Sequence, residues 1–302
     1  MSVQSQLAAV HPTTKHRFTS QSLLDQGSGE FNEDALLVRE NLFGVFDGAS
    51  SLKGDLYRGK SGAWWASHLA RAAFSANDDS LPELAERANR TIAKGMVLSE
   101  VDMTDRLQLW STSGAVVRVT EENLEFAQIG DALILCIYED GTFRLPVHFR
   151  NHDRETLDQW QLLNGLGFNN VRELLTPQIE NVRLRMNRDY GVLNGEAEMK
   201  DFLFSGTIST EGLAHLLIFT DGFHLPSNRD DKVDFSGMVD CYLNRGLSGL
   251  MHAIRGIERT DPDCRNFPRF KTHDDIAAVA LTFCDGQPAA GRFRQISFPE
   301  RI

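Results

Sequence analysis

The sequence predicts an α+β protein built in layers, and three observations carry that expectation. Apolar runs of strand length occur in pairs joined by short polar turns. Two long helical periodicities sit between the second and third of these runs. Further strands and two more helical patterns then follow. Taken in order, Ala35–Val38 and Leu42–Phe46 lie close around a polar turn and read as a hairpin. From Arg58 to Ala76, the residues Ala63, Trp64, Ala66, Leu69, Ala70 and Ala73 recur at helical spacing. From Leu81 to Val101 a second pattern runs through Leu84, Ala88, Ile92 and Met96, with Pro82 suited to its first turn. Ala115–Val119 and Leu124–Ile129 flank a Thr-Glu-Glu-Asn turn, and Leu133–Tyr138 and Thr142–Leu145 flank Asp140–Gly141. Leu213–Phe219 and Ile276–Phe283 complete the strands, with helical patterns over Ser236–Leu247 and Ser248–Ile257 between them. Short connections favour antiparallel pairing, and the order is not the strict alternation of a doubly wound sheet.

With 302 residues, no Pro/Gly/Ser-rich linker and no internal repeat, the chain is expected to form a single domain over 1–302. The stretch at about 143–190 mixes His148, His152, Trp160 and many arginines without clean periodicity. It is read as a partly helical, flap-like insertion of the kind that forms lids or docks regulatory partners. Residues 285–302 form a short C-terminal tail. The net charge of −11 argues against nucleic acid or an anionic membrane as partner, since both require a basic face. The longest apolar run, Ala132–Tyr138, is far short of the about 20 residues of a membrane-spanning helix. The first residues lack the apolar core of a secretory signal. Cys136, Cys241, Cys264 and Cys284 are scattered and form no CxxC pair, so they read as reduced thiols and a cytoplasmic location is expected.

The chemistry is expected at carboxylates. Asp-Gly occurs at 47–48, 140–141, 221–222 and 285–286. Asp-Gly is ordinarily a hairpin turn, and that reading suits Asp140–Gly141 and Asp285–Gly286. It suits the other two poorly, because no strand returns directly after Asp47–Gly48 or Asp221–Gly222. There, an acid stands where a buried strand leaves the core. Asn32-Glu33-Asp34 and His273-Asp274-Asp275 open two further strands. If these ends converge, Glu33, Asp34, Asp47, Asp221 and Asp274 share a pocket. Two unit charges 4 Å apart repel by about 4 kcal/mol at an effective dielectric near 20. Such a set needs cations, and oxygen donors without Cys or clustered His select Mg²⁺ or Mn²⁺. Two divalent ions can bridge a water, bring its pKa towards about 7 and clamp a phosphoryl oxygen.

At these residues a family resemblance becomes specific. Asn32-Glu33-Asp34-Ala35, Phe43-Gly44-Val45-Phe46-Asp47-Gly48, Ile129-Gly130-Asp131-Ala132, Phe219-Thr220-Asp221-Gly222 and His273-Asp274-Asp275-Ile276 occur in the order and at the approximate spacing of the metal-dependent protein phosphatases, the type 2C serine/threonine family, in a bacterial-type form. Ser111-Thr112-Ser113-Gly114-Ala115 and Gly191-Val192-Leu193-Asn194-Gly195 resemble two further segments of that family. The resemblance implies a four-layer α-β-β-α sandwich of two antiparallel sheets, with two Mg²⁺ or Mn²⁺ ions at one edge. It implies that Asp47 bridges both ions, that Glu33 and the Gly48 carbonyl complete one, and that Asp221 and Asp274 bind the other. Asp34 would hydrogen-bond metal waters and act with Asp47 in catalysis, and Asp131 would face a third ion. The implied activity is dephosphorylation of phosphoserine and phosphothreonine in proteins by a metal-bridging hydroxide.

Three departures qualify the match. Gly29 stands where members often carry a phosphate-binding Arg, leaving Arg58 and Lys60 as candidates for that role. Ala49 replaces the His proposed as a general acid in eukaryotic members. Leu225 stands where many members place a second acid for the third ion. The alternative is a catalytically weak or inactive member acting as a binding or sensing module. A haloacid-dehalogenase-type site is set aside because Val45, not Asp, lies two residues before Asp47. A serine-hydrolase site is set aside because no Gly-x-Ser-x-Gly elbow is present. His224 reads as a packing residue.

Overall fold

The computed structural model describes residues 4–13, 16–50, 52–121, 123–227 and 233–284. In chain order the strands are β1 (Gln4–Thr13), β2 (His16–Asp25), β3 (Ala35–Val38), β4 (Leu42–Gly48), β5 (Leu56–Tyr57), β6 (Lys60–Ser61), β7 (Thr112–Val119), β8 (Asn123–Ile129), β9 (Leu133–Tyr138), β10 (Phe143–Arg144), β11 (Phe204–Ser209), β12 (Leu213–Phe219) and β13 (Ile276–Cys284). The α-helices are α1 (Gly62–Phe74), α2 (Leu81–Leu98), α3 (Arg154–Gly165), α4 (Val171–Leu174), α5 (Thr176–Leu184) and α6 (Phe235–Thr260). One sheet has the order β1-β2-β13-β12-β9-β10 and the other β11-β8-β7-β4-β3, while β5 and β6 form a separate small hairpin.

Alternation along the strands builds the layers. Phe43 and Val45 of β4 face Ile134 and Cys136 of β9, Leu216 and Ile218 of β12, and Ala277 and Val279 of β13 between the two sheets. Phe46 points the other way, into a cluster with Ala66, Ala70, Leu84 and Ile92 of α1 and α2. On the far side, Leu217, Phe219, Leu133 and Leu135 pack against Met238, Leu250 and Ile254 of α6. Strands apolar on both faces are what a sheet covered on both sides requires. The result is the expected four-layer α-β-β-α order.

Several boundaries differ from the sequence expectation, each for a local reason. The helix expected from Arg58 begins at Gly62. Leu56–Ser61 turns back on itself through Arg58 (φ 52°) and Gly59 (φ 78°), and Ser61 then caps α1 by accepting from Trp64 N at 3.1 Å. The two helices expected over 236–257 run on as α6, kinked at Gly246, whose φ of 69° is left-handed. Strands β1, β2 and β11 were not expected. β2 carries the buried polar residues Ser20 and Ser22, and β11 buries Ile208 alone, so neither shows an apolar run. Residues 145–190 are more helical than their periodicity suggests. Trp160, Val171 and Leu175 form a small cluster of their own with Cys264. The tail at 285–302 and its Asp285–Gly286 lie outside the described residues. No helix among the described residues is long and apolar enough to cross a membrane.

His68 of α1 yields a test of the packing. It stacks on Trp64 with centroids 3.9 Å apart, and its Nδ1 lies 2.9 Å from the Trp64 carbonyl, which can only accept. Burial lowers its pKa to about 4. The unfolded chain therefore binds the proton more readily, and this stability contribution is lost as pH falls from about 6.5 towards 4. In urea titrations from pH 7 to 5, His68→Gln is expected to lose less stability than the parent. An equal loss in both proteins would show that His68 does not titrate in this way.

Candidate functional site

Strand pairing gathers the acids. β3 and β4 are antiparallel with Ala35 opposite Phe46, so Asp34, just before β3, meets Asp47 near the end of β4. β12 and β13 are antiparallel with Phe219 opposite Ala278, which brings Asp221 beside Asp274 and Asp275. The two sheets are joined here, because Thr220 Oγ1 donates to Asp34 Oδ2 at 2.7 Å. Asp131 lies in the turn between β8 and β9. That turn is tied down where Ala132 N donates to Ser113 Oγ at 3.2 Å, and Ser113 is the sheet partner of Asp47. Asp47, Gly48, Asp131, Asp221 and Asp274 line one cleft of about 150 Å³.

The two strand-end glycines are set by close approach. A Cβ on Gly48 would lie 2.5 Å from the Ala63 carbonyl oxygen and 2.7 Å from that of Glu33. A Cβ on Gly222 would lie 2.0 Å from the Asp275 carbonyl oxygen. Only glycine lets these backbones meet. Asp140–Gly141 is the hairpin it was expected to be, with Gly141 at φ 83° between β9 and β10.

Glu33 sits beside the cleft and accepts from Ser61 Oγ at 2.6 Å and from Ser50 Oγ. Asp275 accepts from the backbone N–H groups of Gly27 and Glu33, each at 2.8 Å, and so fixes the loop that presents Glu33. Behind Asp274, Arg255 is buried with Asp25 and Glu258. It donates to Asp25 Oδ2 at 2.9 Å, to Glu258 Oε2 at 2.8 Å and to the Asp274 carbonyl at 2.6 Å.

Electrostatics mark the cleft. Asp34 is held well above the usual carboxylate range by burial first, then by Asp275, while the Thr220 hydroxyl opposes the shift. Asp47 is raised by burial and then by the charges of Asp34, Asp221 and Asp131. Asp221 is raised by burial, Asp274 and Asp131, against a hydrogen bond with Asp47 and the charge of Lys271. Acids raised by burial and mutual repulsion are a shortage of positive charge built into the fold. The oxygen-only donor set, gathered from both sheets, fits a hard divalent cation. Among the described residues, no three His, Cys, Asp or Glu side chains already converge as ligands on one point. Glu33 is instead held by the two serines, and Asp274 accepts from Lys271 Nζ at 2.7 Å.

Several residues of the cleft were not anticipated from sequence. His152, Arg172, Arg183 and Tyr190 come from residues 143–190, and Lys271 from the loop before β13. Arg183 donates to the Ser50 carbonyl at 2.9 Å, and its other terminal nitrogen lies 3.3 Å from the Ala49 carbonyl. His152 Nε2 lies 3.6 Å from carboxylate oxygens of both Asp131 and Asp153, and its ring stacks on Tyr190 at 3.9 Å. Lys271 is charged. Burial works against its proton, but Asp274, Asp275 and Glu33 outweigh it and raise its pKa. Arg58 and Lys60 do not line this cleft. Both belong to the β5–β6 hairpin, where the Lys60 ammonium sits 4.1 Å from the centroid of the Phe31 ring. Lys271, Arg172 and Arg183 line the cleft instead, and of these Lys271 pairs with Glu33 and Asp274. His224 packs edge-on against Phe149 and Phe219 and is lowered to about 4 by burial, so it is a neutral packing residue.

Comparison with known proteins agrees with the fold. No curated protein matches the chain by sequence. Among solved structures, the chain is similar to the catalytic domain of the serine/threonine protein phosphatase PstP in complex with two manganese ions. The TM-score is 0.53 at 16% identity, over 89% of this chain and 99% of that one. It matches the Mycobacterium tuberculosis serine/threonine phosphatase PstP/Ppp with TM-score 0.53 and 16% identity, over 88% and 98% of the two chains. It also matches PppA, a regulatory component of the T6SS in Pseudomonas aeruginosa, with TM-score 0.55 and 16% identity over 88% and 98%. These likenesses establish the fold. The family model for protein phosphatase 2C matches residues 25–248, which include Glu33, Asp34, Asp47, Gly48, Asp131 and Asp221, while Asp274 lies beyond them. The chain belongs to the protein phosphatase 2C family.

Proposed function

We propose that the protein hydrolyses phosphoserine and phosphothreonine esters in phosphoprotein substrates, at the cleft where the two sheets meet. The observation that carries this reading is the gathering of Asp34, Asp47, Asp131, Asp221 and Asp274 from both sheets, with Asp34, Asp47 and Asp221 raised in pKa by burial and by one another. Asp47, the Gly48 carbonyl and Glu33 are the donors for one divalent ion. Asp221 and Asp274, sharing Asp47, are the donors for a second. Asp131 is the donor for a third, weakened because Leu225 packs against the α6 core and offers no further acid. Mg²⁺ or Mn²⁺ bound there would draw electrons from the phosphoryl group and acidify the attacking water.

The chain's own residues then divide the work. In hydrolysis, a water oxygen bonds to phosphorus, the ester P–O bond breaks, the water gives up a proton and the departing oxygen takes one. Asp34, anchored by Thr220, would orient the attacking water and accept its proton. Arg183, braced on the backbone just after Asp47–Gly48, supplies positive charge for the phosphoryl oxygens in place of the residue absent at Gly29. His152 brings an imidazole into the same cleft, where Ala49 offers no proton for the departing oxygen. Residues 143–190 serve as a flap within a single domain and are the surface for a regulatory partner. A cytoplasmic setting suits this reading.

The test is hydrolysis of p-nitrophenyl phosphate and of a phosphothreonine peptide by the metal-stripped protein, before and after Mn²⁺ is added. Turnover appearing only with Mn²⁺ is the expected result. No turnover of either compound, with ion binding verified by calorimetry, would replace the hydrolase reading with a binding or sensing module.

A further inference from the structure

We propose that Lys271 is a resident cation of the carboxylate cleft, bridging Glu33 and Asp274 and competing there with divalent metal, so that this chain holds one ion firmly and a second only weakly. The inference rests on the site reading above and concerns how that site is filled.

The Lys271 ammonium lies 2.7 Å from Asp274 Oδ1 and 3.8 Å from Glu33 Oε2, and its side chain is 22% exposed. These two acids belong to different ions in the proposed scheme, so one ammonium touches a donor of each. Among the described residues, its ion pairs are with Glu33 and Asp274 and not with Asp47, Asp131 or Asp221. The contact with Asp274 is the closer of the two, so the ion of Asp221 and Asp274 is the one it opposes more strongly.

The amine is presented by a braced loop. Arg269 donates to Asp261 Oδ2 at 2.9 Å and to the Phe267 carbonyl at 2.8 Å. Asp261 in turn accepts from the backbone N–H groups of Arg265 and Phe267, each at 2.9 Å. Arg172 of α4 donates to the carbonyl of Phe270, the residue before Lys271. The two acids are also held. Asp274 Oδ1 accepts from Asp275 N at 2.9 Å, and Glu33 from Ser61 Oγ at 2.6 Å.

An ion that recruits Glu33 or Asp274 must therefore displace the ammonium, or bind with a like charge a few ångströms away. The ion of Asp47, the Gly48 carbonyl and Glu33 meets the ammonium at the longer distance, 3.8 Å, and is the firmly held one. The same ammonium neutralises part of the cleft when metal is scarce, so it also supports the metal-free protein.

The experiment is calorimetric titration of the metal-stripped full-length protein with Mn²⁺, for the parent and for Lys271→Met, Lys271→Gln and Lys271→Arg. The parent is expected to bind one ion tightly and a second at least about tenfold more weakly. Met and Gln should tighten the second ion by about tenfold or more, while Arg, which keeps the charge, should preserve the gap. Thermal midpoints give a second readout. Without metal, Met and Gln should melt below the parent, and excess Mn²⁺ should close the difference. Two equal ions in the parent, or a second ion unchanged in both Met and Gln, would overturn the role of Lys271 alone. No Mn²⁺ bound by any of the four proteins would overturn the metal site itself and this inference with it.

Discussion

Replacing Asp47 with Asn is expected to abolish phosphate-ester hydrolysis while leaving the metal-free protein as stable as the parent, or more so. Asp47 is raised in pKa by burial and by the charges of Asp34, Asp221, Asp131 and Asp274. As a proposed donor to both ions, it has no substitute within the cleft. Removing groups that merely orient metal ligands costs about 10–100-fold in activity or affinity, so losing the shared ligand should cost more than about 100-fold. Stability should move the other way, because a neutral amide of the same shape removes one of the mutually repelling charges. Thermal melts without metal and p-nitrophenyl phosphate assays with Mn²⁺ check both halves. Near-parental rates in Asp47→Asn would refute its assignment as a ligand.

The second large effect is expected at Arg255, outside the cleft. Its guanidinium is 7% exposed and holds Asp25 (8%) and Glu258 (4%) while donating to the Asp274 carbonyl. Arg255→Met leaves two buried carboxylates without their counter-ion, a change that costs about 3–5 kcal/mol. It also frees the backbone that presents Asp274, so Mn²⁺ affinity should fall with stability. His273, whose Nδ1 lies 2.8 Å from Glu258 Oε2, cannot compensate fully, because it carries a charge only when protonated. Urea denaturation of Arg255→Met, alone and with Asp25→Asn and Glu258→Gln, separates the causes. Neutralising both acids should restore much of the loss. A single variant within about 0.5 kcal/mol of the parent, the ordinary range of surface changes, would contradict the account.

Much of the architecture was legible because β4, β9, β12 and β13 are buried on both faces and so read as continuous apolar runs. β2 was hidden because Ser20 and Ser22 occupy buried positions in it, and β11 because an edge strand exposed on five of six residues needs no apolar pattern. The acids were legible for a different reason. Asp-Gly at 47–48 and 221–222 lacks a returning strand, and the structure supplies the cause in the carbonyl oxygens that a Cβ at either glycine would strike. The cations were not legible. Arg183 reaches Ala49 and Ser50 from more than 130 residues away along the chain, by way of helices with little periodicity. Arg58 and Lys60 were named to replace the residue absent at Gly29, yet the turn at Gly59 folds them into a hairpin that does not line the cleft. Charged side chains carry no period that locates them, and only tertiary packing decides which of them arrives.

The hydrogen bond from Thr220 to Asp34 spans the seam between the sheets. Because each sheet contributes acids to the same cleft, no contiguous fragment lacking either sheet keeps half of the chemistry. A protein severed in an exposed loop, such as the Gly212 turn, could recover turnover only after its pieces reassemble the full sandwich. Restored hydrolysis would then serve as a gauge of correct assembly, read in a cuvette without any optical probe attached to the chain.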